Sequence, residues 1–210
     1  MNLKNVTIFS SVLPLLLSVG CLRSYNVSPL NNVSLSTTLK NESGLTLKTK
    51  AFLTRAEVME KFGEKLADDR QVVPVQVLII NSGVDSFKVL RTSFVLLASG
   101  GNTRLAGLNN EELYQLGRHG YGKPVCGMVF GGVLGLPSLI TTIRANERLR
   151  EDYERKLLQD AIVDPGKEIT GAVFFNPESA NLKRNDSYKL VVELENTKTN
   201  VKVVLEQPLV

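Results

Sequence analysis

The strongest constraint on the fold is a series of short apolar segments bounded by turn-forming residues. Leu45, Leu47, Thr49 and Ala51 fall on one side of an extended chain whose other side carries Lys48 and Lys50, the pattern of a half-buried strand. Val72–Ile80 is a second apolar strand, closed by Asn81, Ser82 and Gly83. Pro74 has no amide hydrogen, which predicts that the start of this strand lies at a sheet edge or a bulge. Phe87–Leu97 predicts one or two further strands that stop at Gly100 and Gly101. After a turn at Asp164–Lys167, Ile169–Phe175 is a strand, and Tyr188–Glu195 pairs with Val201–Glu206 across the loop Asn196–Asn200. Val33–Leu39 alternates well enough to be a first edge strand.

Helical signals are fewer. Thr54 and Glu57 have the spacing of a capping box, and Val58, Phe62 and Leu66 follow on one face of a helix ended by Asp68 and Asp69. A short helix is expected at Glu111–Leu116 and a long one from Ser138, as its cap, to Asp160. Leu139, Ile143, Leu149, Tyr153 and Leu157 form the apolar stripe of the long helix. Arg148 with Asp152, Arg150 with Glu154 and Asp152 with Lys156 stand four apart, as solvated ion pairs. Seven strands, three of them after a helical central region, match a mainly β fold with an α insertion (α+β): an immunoglobulin-like antiparallel β-sandwich.

The amino terminus predicts where the chain resides. Met1–Lys4 is positively charged, and Val6–Leu17 follows without a charge. About twelve apolar positions suit a signal-peptide core and fall short of the roughly 20 that cross a bilayer. The run ends Leu17-Ser18-Val19-Gly20-Cys21, which resembles the lipobox of bacterial lipoproteins. The resemblance implies cleavage after Gly20 and acylation of the Cys21 thiol, although Ser18 departs from the commoner Leu. Leu22, in place of Asp, implies sorting to the outer membrane of the cell envelope. The resemblance thus divides the chain into a signal peptide at 1–20, a lipid anchor and tether at 21–43, and a domain at 44–210 with its insertion at about 110–163. An ordinary secretory signal or a buried terminal helix are the alternatives.

Cysteine usage agrees with this reading. Once Cys21 carries lipid, Cys126 is the only thiol left, so no disulfide staples the fold and its core must suffice. Two or three acyl chains on one cysteine anchor a protein to a membrane without a spanning helix. The formal charge of +4 comes from cations interleaved with acids, not from a basic block, and gives no footprint for nucleic acid.

The insertion contains a glycine-rich run in which Gly127, Gly131 and Gly135 recur every four residues beside Phe130. On a helix they would form a smooth strip for close backbone contact with a protein partner or a second copy. Pro124–Ile143 carries no charge over 20 residues, long enough to span a bilayer core, but its glycines and Pro137 disfavour a continuous helix. An irregular apolar loop over the end of the sandwich, a glycine contact between copies and membrane insertion all remain open.

No chemical motif points to an enzyme or to a cofactor. His119 is the one imidazole, and Cys126, its conceivable thiolate partner, lies in an apolar run that raises a thiol pKa. Neither Cys-x-x-Cys nor His-x-x-x-His occurs, and Gly120–Val125 fails the dinucleotide fingerprint at its third glycine. The function expected is therefore a non-catalytic interaction or scaffold module at the membrane surface, against a hydrolase using His119 or a carrier of apolar ligands. A second series, Glu57, Phe62, Gly63, Pro74-Val75, Asn81, Pro165-Gly166, Gly171 and Phe174, is similar to a group of uncharacterised bacterial envelope proteins associated with such a sandwich. It covers about half of the chain, consists of turn and core positions, and implies no catalytic residue.

Overall fold

A computed structural model of the chain describes residues 28–30, 35, 37–68, 72–98, 103–118, 135–183 and 186–209, with backbone alone at 37, 68 and 135–142. Compactness divides the chain into two units, residues 1–24 with 120–145 and residues 25–119 with 146–210. Of the first unit, the described part is the helical stretch 135–145. The second unit is mainly β.

Two antiparallel sheets make up this second unit. The first has the order β1 (Thr37–Lys40), β2 (Leu45–Ala51), β3 (Val73–Asn81), β8 (Glu168–Phe175). In the second, β9 (Tyr188–Asn196) has β10 (Lys202–Leu209) along one side. Its other side takes β5 (Phe94–Ala98) and then β4 (Phe87–Val89), end to end. Phe87–Leu97 is thus two strands joined by a 3-10 turn at Arg91–Ser93, both on one edge of β9. The outer edges are β6 (Arg104–Ala106), on β5, and β7 (Ala161–Val163), on β4. Ten strands are described against seven expected. The additional β6 and β7 have three residues each, too few for alternation to be read, and β7 falls inside the span assigned to the insertion.

The inward faces of both sheets share one core. Leu45 and Leu47, Val75, Val77 and Ile79, and Val173 and Phe175 meet Phe94 and Leu96, Leu190, Val192 and Leu194. In β2 the expected alternation holds throughout, with Leu45, Leu47, Thr49 and Ala51 buried and the residues between them half-buried. Pro74 corrects its expectation: β3 is interior, paired with β2 and β8. A residue's N–H and C=O point the same way in a strand, and the Pro74 carbonyl accepts from Phe52 N–H at 2.9 Å. The missing donor therefore points to the β2 side, where that ladder has ended at Ala51–Val75.

Helices cover part of the outward face of the first sheet. The capping box at Thr54 is formed, but the expected helix is two, α1 (Arg55–Phe62) and α2 (Glu64–Asp68). Gly63 separates them at φ 91°, a conformation that favours glycine. α3 (Asn110–Gly117) is capped by Asn109 and Glu112 in a second capping box. The long helix is α4 (Gly135–Lys156), which starts before Ser138, so Ser138 is not its cap. Pro137 is tolerated in the first turn, where an amide hydrogen has no intrahelical acceptor. The helix stops at Lys156 because Leu157 bridges Ala172 and Leu158 N–H donates to the Ala172 carbonyl at 2.9 Å. Leu149, Tyr153 and Leu157 are buried as expected, whereas Ile143 is exposed. Under α1 and α4, Phe62 packs edge-on against Phe52 and Phe174, with centroids 5.2 and 5.0 Å apart, about 0.5–1.5 kcal/mol per pair beyond burial.

Candidate functional site

An open cleft of about 800 Å³ lies beside α3, over the edge strand β6. Its position follows from two contacts of the connector between them. Gly107 lies so close to β8 that a Cβ would stand 2.8 Å from Val173 Cγ1, and Leu108 N–H donates to the Phe174 carbonyl at 2.7 Å. The connector is therefore drawn across the end of the first sheet, with Leu105, Leu108 and Leu116 as the apolar floor.

Most polar groups around the cleft already hold one another. Asn109 and Glu112 are reciprocally engaged in the cap, Glu111 accepts from Arg150 at 3.2 Å and from Gln115, and Ser179 Oγ donates to the Asn176 carbonyl at 2.7 Å. Asn176 Oδ1 is buried with no hydrogen-bond partner. None of these is a nucleophile set beside a base, and among the described residues no group of three or more His, Cys, Asp or Glu could hold a metal. The arrangement can bind through apolar contact and hydrogen bonds.

A second polar cluster lies inside the helix layer. Lys156 is 6% exposed, pairs with Asp152 at 2.6 Å, donates to the Lys61 carbonyl and stands 5.5 Å from the Phe62 ring. Burial holds its pKa below the ordinary lysine value, against the opposing pull of Asp152. The Tyr153 hydroxyl donates to the Phe62 carbonyl at 3.1 Å, and burial pushes its pKa well above the usual tyrosine value. The Asp152–Lys156 pair, expected on the solvated side of the helix, is inside. At four-residue spacing a buried pair and a surface pair look the same in sequence. The Arg150–Glu154 pair does lie at the surface, at 3.8 Å.

Of the residues that sequence singled out, Gly20, Cys21, Gly127, Phe130 and Gly131, together with His119 and Cys126, lie outside the described residues. Gly135 is the first residue of α4. The described residues of the cleft carried one legible signal, the Asn109-x-x-Glu112 cap. Among the described residues no helix is long and apolar enough to cross a membrane.

No protein-family model and no curated protein matches the sequence. Several solved structures are similar to it. A putative lipoprotein, ycdA from Bacillus subtilis, is 16% identical with a TM-score of 0.42, over 82% of this chain and 38% of that one. The present chain thus spans well under half the length of that protein. The yjhA protein from Bacillus subtilis is 10% identical with a TM-score of 0.41, covering 82% of this chain and 97% of its own. A functionally unknown protein from Listeria monocytogenes is 11% identical with a TM-score of 0.37, covering 82% and 80%.

Proposed function

We propose that this chain is a bacterial envelope lipoprotein, cleaved after Gly20, acylated on Cys21 and sorted to the outer membrane, whose domain is a non-catalytic interaction module. The observation that carries the reading is the twelve-residue uncharged run leading into Ser18-Val19-Gly20-Cys21. The cleft beside α3 supports a binding role through its apolar floor of Leu105, Leu108 and Leu116, while the polar groups Asn109, Glu111 and Glu112 are engaged in local structure. The partner, a protein or a second copy, is proposed to dock on the glycine-rich segment through Gly127, Phe130, Gly131 and Gly135. That segment follows α3, whose last residue Gly117 is packed under the Tyr153 ring.

An immunoglobulin-like type for the domain belongs to the same proposal. The orders β2, β3, β8 in one sheet and β4/β5, β9, β10 in the other support this reading, since they follow its strands A, B, E and C, F, G. Tyr188, at the start of β9, donates its hydroxyl to the backbone carbonyl of Lys183 five residues upstream, as a tyrosine corner does.

Metabolic labelling with a fatty acid tests the anchor. The native protein is expected to carry label and acyl mass on residue 21, and Cys21→Ala to carry none; an unlabelled native protein sinks the reading. A Gly131→Leu variant whose assembly state by size exclusion and crosslinking matches the native one removes the glycine contact.

A further inference from the structure

The chain leading out of the domain toward Cys21 is fastened to one particular face. Ser28 N–H donates to the Glu60 carbonyl at 2.9 Å, Lys61 Nζ donates to the Pro29 carbonyl at 3.5 Å, and Gln76 Nε2 donates to the Leu30 carbonyl at 3.5 Å. The Leu30 side chain is 7% exposed, inserted among the apolar residues under α1 and α4. Residues 28–30 are thus strapped to α1 and to the outward side of β3.

Beside this strap, the strand register places Lys40, Lys48 and Lys50 on the same outward side of β1 and β2. Lys50 pairs with Glu57 at 3.3 Å, whereas Lys40 and Lys48 make no ion pair among the described residues. The opposite face of the domain, the outward side of β9 and β10, is neutralised by cross-strand pairs, Lys189–Glu206 at 2.9 Å and Lys202–Glu193 at 3.1 Å.

We infer that the domain meets the membrane through α1 and the outward side of β1–β2, with Lys40 and Lys48 turned to the anionic headgroups of the bilayer that holds the Cys21 lipid. The inference rests on Cys21 being acylated. Six residues separate Cys21 from Ser28, and the seven steps between the two reach at most about 25 Å. Stacked sheets lie about 10 Å apart and a helix layer adds about as much. The outward side of β9–β10 is therefore about 20 Å beyond the strap, and turning it to the bilayer would consume nearly the whole reach. Each unpaired lysine near an anionic surface favours contact by roughly fivefold.

The test uses the acylated mature protein, with Cys126→Ser, in vesicles of phosphatidylethanolamine and phosphatidylglycerol that carry a headgroup-attached quencher. A fluorophore is placed at Thr38→Cys, beside Lys48 in the register, or at Val204→Cys, 52% exposed on the opposite face. Quenching is expected to be several-fold stronger at 38 than at 204, and Leu30→Asp, which frees the strap, should remove most of that difference. Equal quenching at the two positions, or stronger quenching at 204, overturns the inference while acyl mass on residue 21 keeps the anchor. Absence of acyl mass overturns the anchor itself and the orientation with it.

Discussion

The hydroxyl of Tyr153 donates to the backbone carbonyl of Phe62 at 3.1 Å, joining α4 to the last residue of α1 across 91 positions of sequence. Both residues are buried, and Tyr153 also packs against the Phe174 ring, with centroids 6.1 Å apart. Tyr153→Phe keeps the packing and leaves the carbonyl without that donor. It should cost about 1–2 kcal/mol in urea denaturation with an unchanged slope.

The same bond predicts alkaline behaviour. The neutral phenol is favoured in the fold, so the Tyr153 pKa is higher folded than unfolded. Its contribution is whole below about pH 10, the unfolded value, and is lost as pH rises from there toward the folded value. Tyr188, pushed up to about 12 chiefly by burial, acts in the same direction. The urea midpoint of the native protein should fall above about pH 10, and Tyr153→Phe should make the fall shallower. Parallel profiles for the two proteins would contradict this.

Lys156 carries the opposite sign. Its folded pKa is depressed by burial, so holding the cation inside costs stability below that pKa, and the cost is relieved as pH rises toward the unfolded value. Removing the partner is nevertheless worse than keeping it, since Asp152 is only 13% exposed and 2.6 Å away. Lys156→Ala should lose about 3 kcal/mol. Lys156→Met combined with Asp152→Leu should recover most of that loss, measured by urea denaturation.

Asn81 fixes the turns at one end of the domain. It is fully buried; its side-chain amide donates to the carbonyls of Asp85 at 2.7 Å and Val163 at 2.8 Å, and its Oδ1 accepts from Gly83 N–H at 3.0 Å. Asn81→Ala strands all three groups. About 2–4 kcal/mol should be lost, together with amide-exchange protection at Gly83.

Two glycines separate steric from conformational demand. A Cβ on Gly171 would lie 2.5 Å from Leu158 Cα, in the backbone that leaves α4, so Gly171→Ala must shift one element off the other. Gly166 has φ 74° and open space around its missing Cβ. Gly166→Ala should therefore cost only about 1 kcal/mol of backbone strain, and Gly171→Ala at least twice as much by thermal denaturation.

Local order was legible wherever the physics is local. Alternation placed β2, because side chains of successive strand residues point to opposite faces and one face must be apolar, and segments bounded by turn residues placed β3, β8, β9 and β10. The Thr54–Glu57 cap was readable because both partners lie within one helical turn. The uncharged run into Cys21 is likewise a local signal, read without any fold. Tertiary structure alone decided that β4 and β5 share one edge of β9, that Pro74 is interior, that Lys156 is inside and that residues 28–30 are strapped to α1. In each case the deciding group comes from a distant part of the chain: the Lys61 carbonyl over Lys156, Glu60 and Gln76 on the strap, Phe174 beneath the cleft connector. Periodicity states that a face must be covered, and packing chooses what covers it.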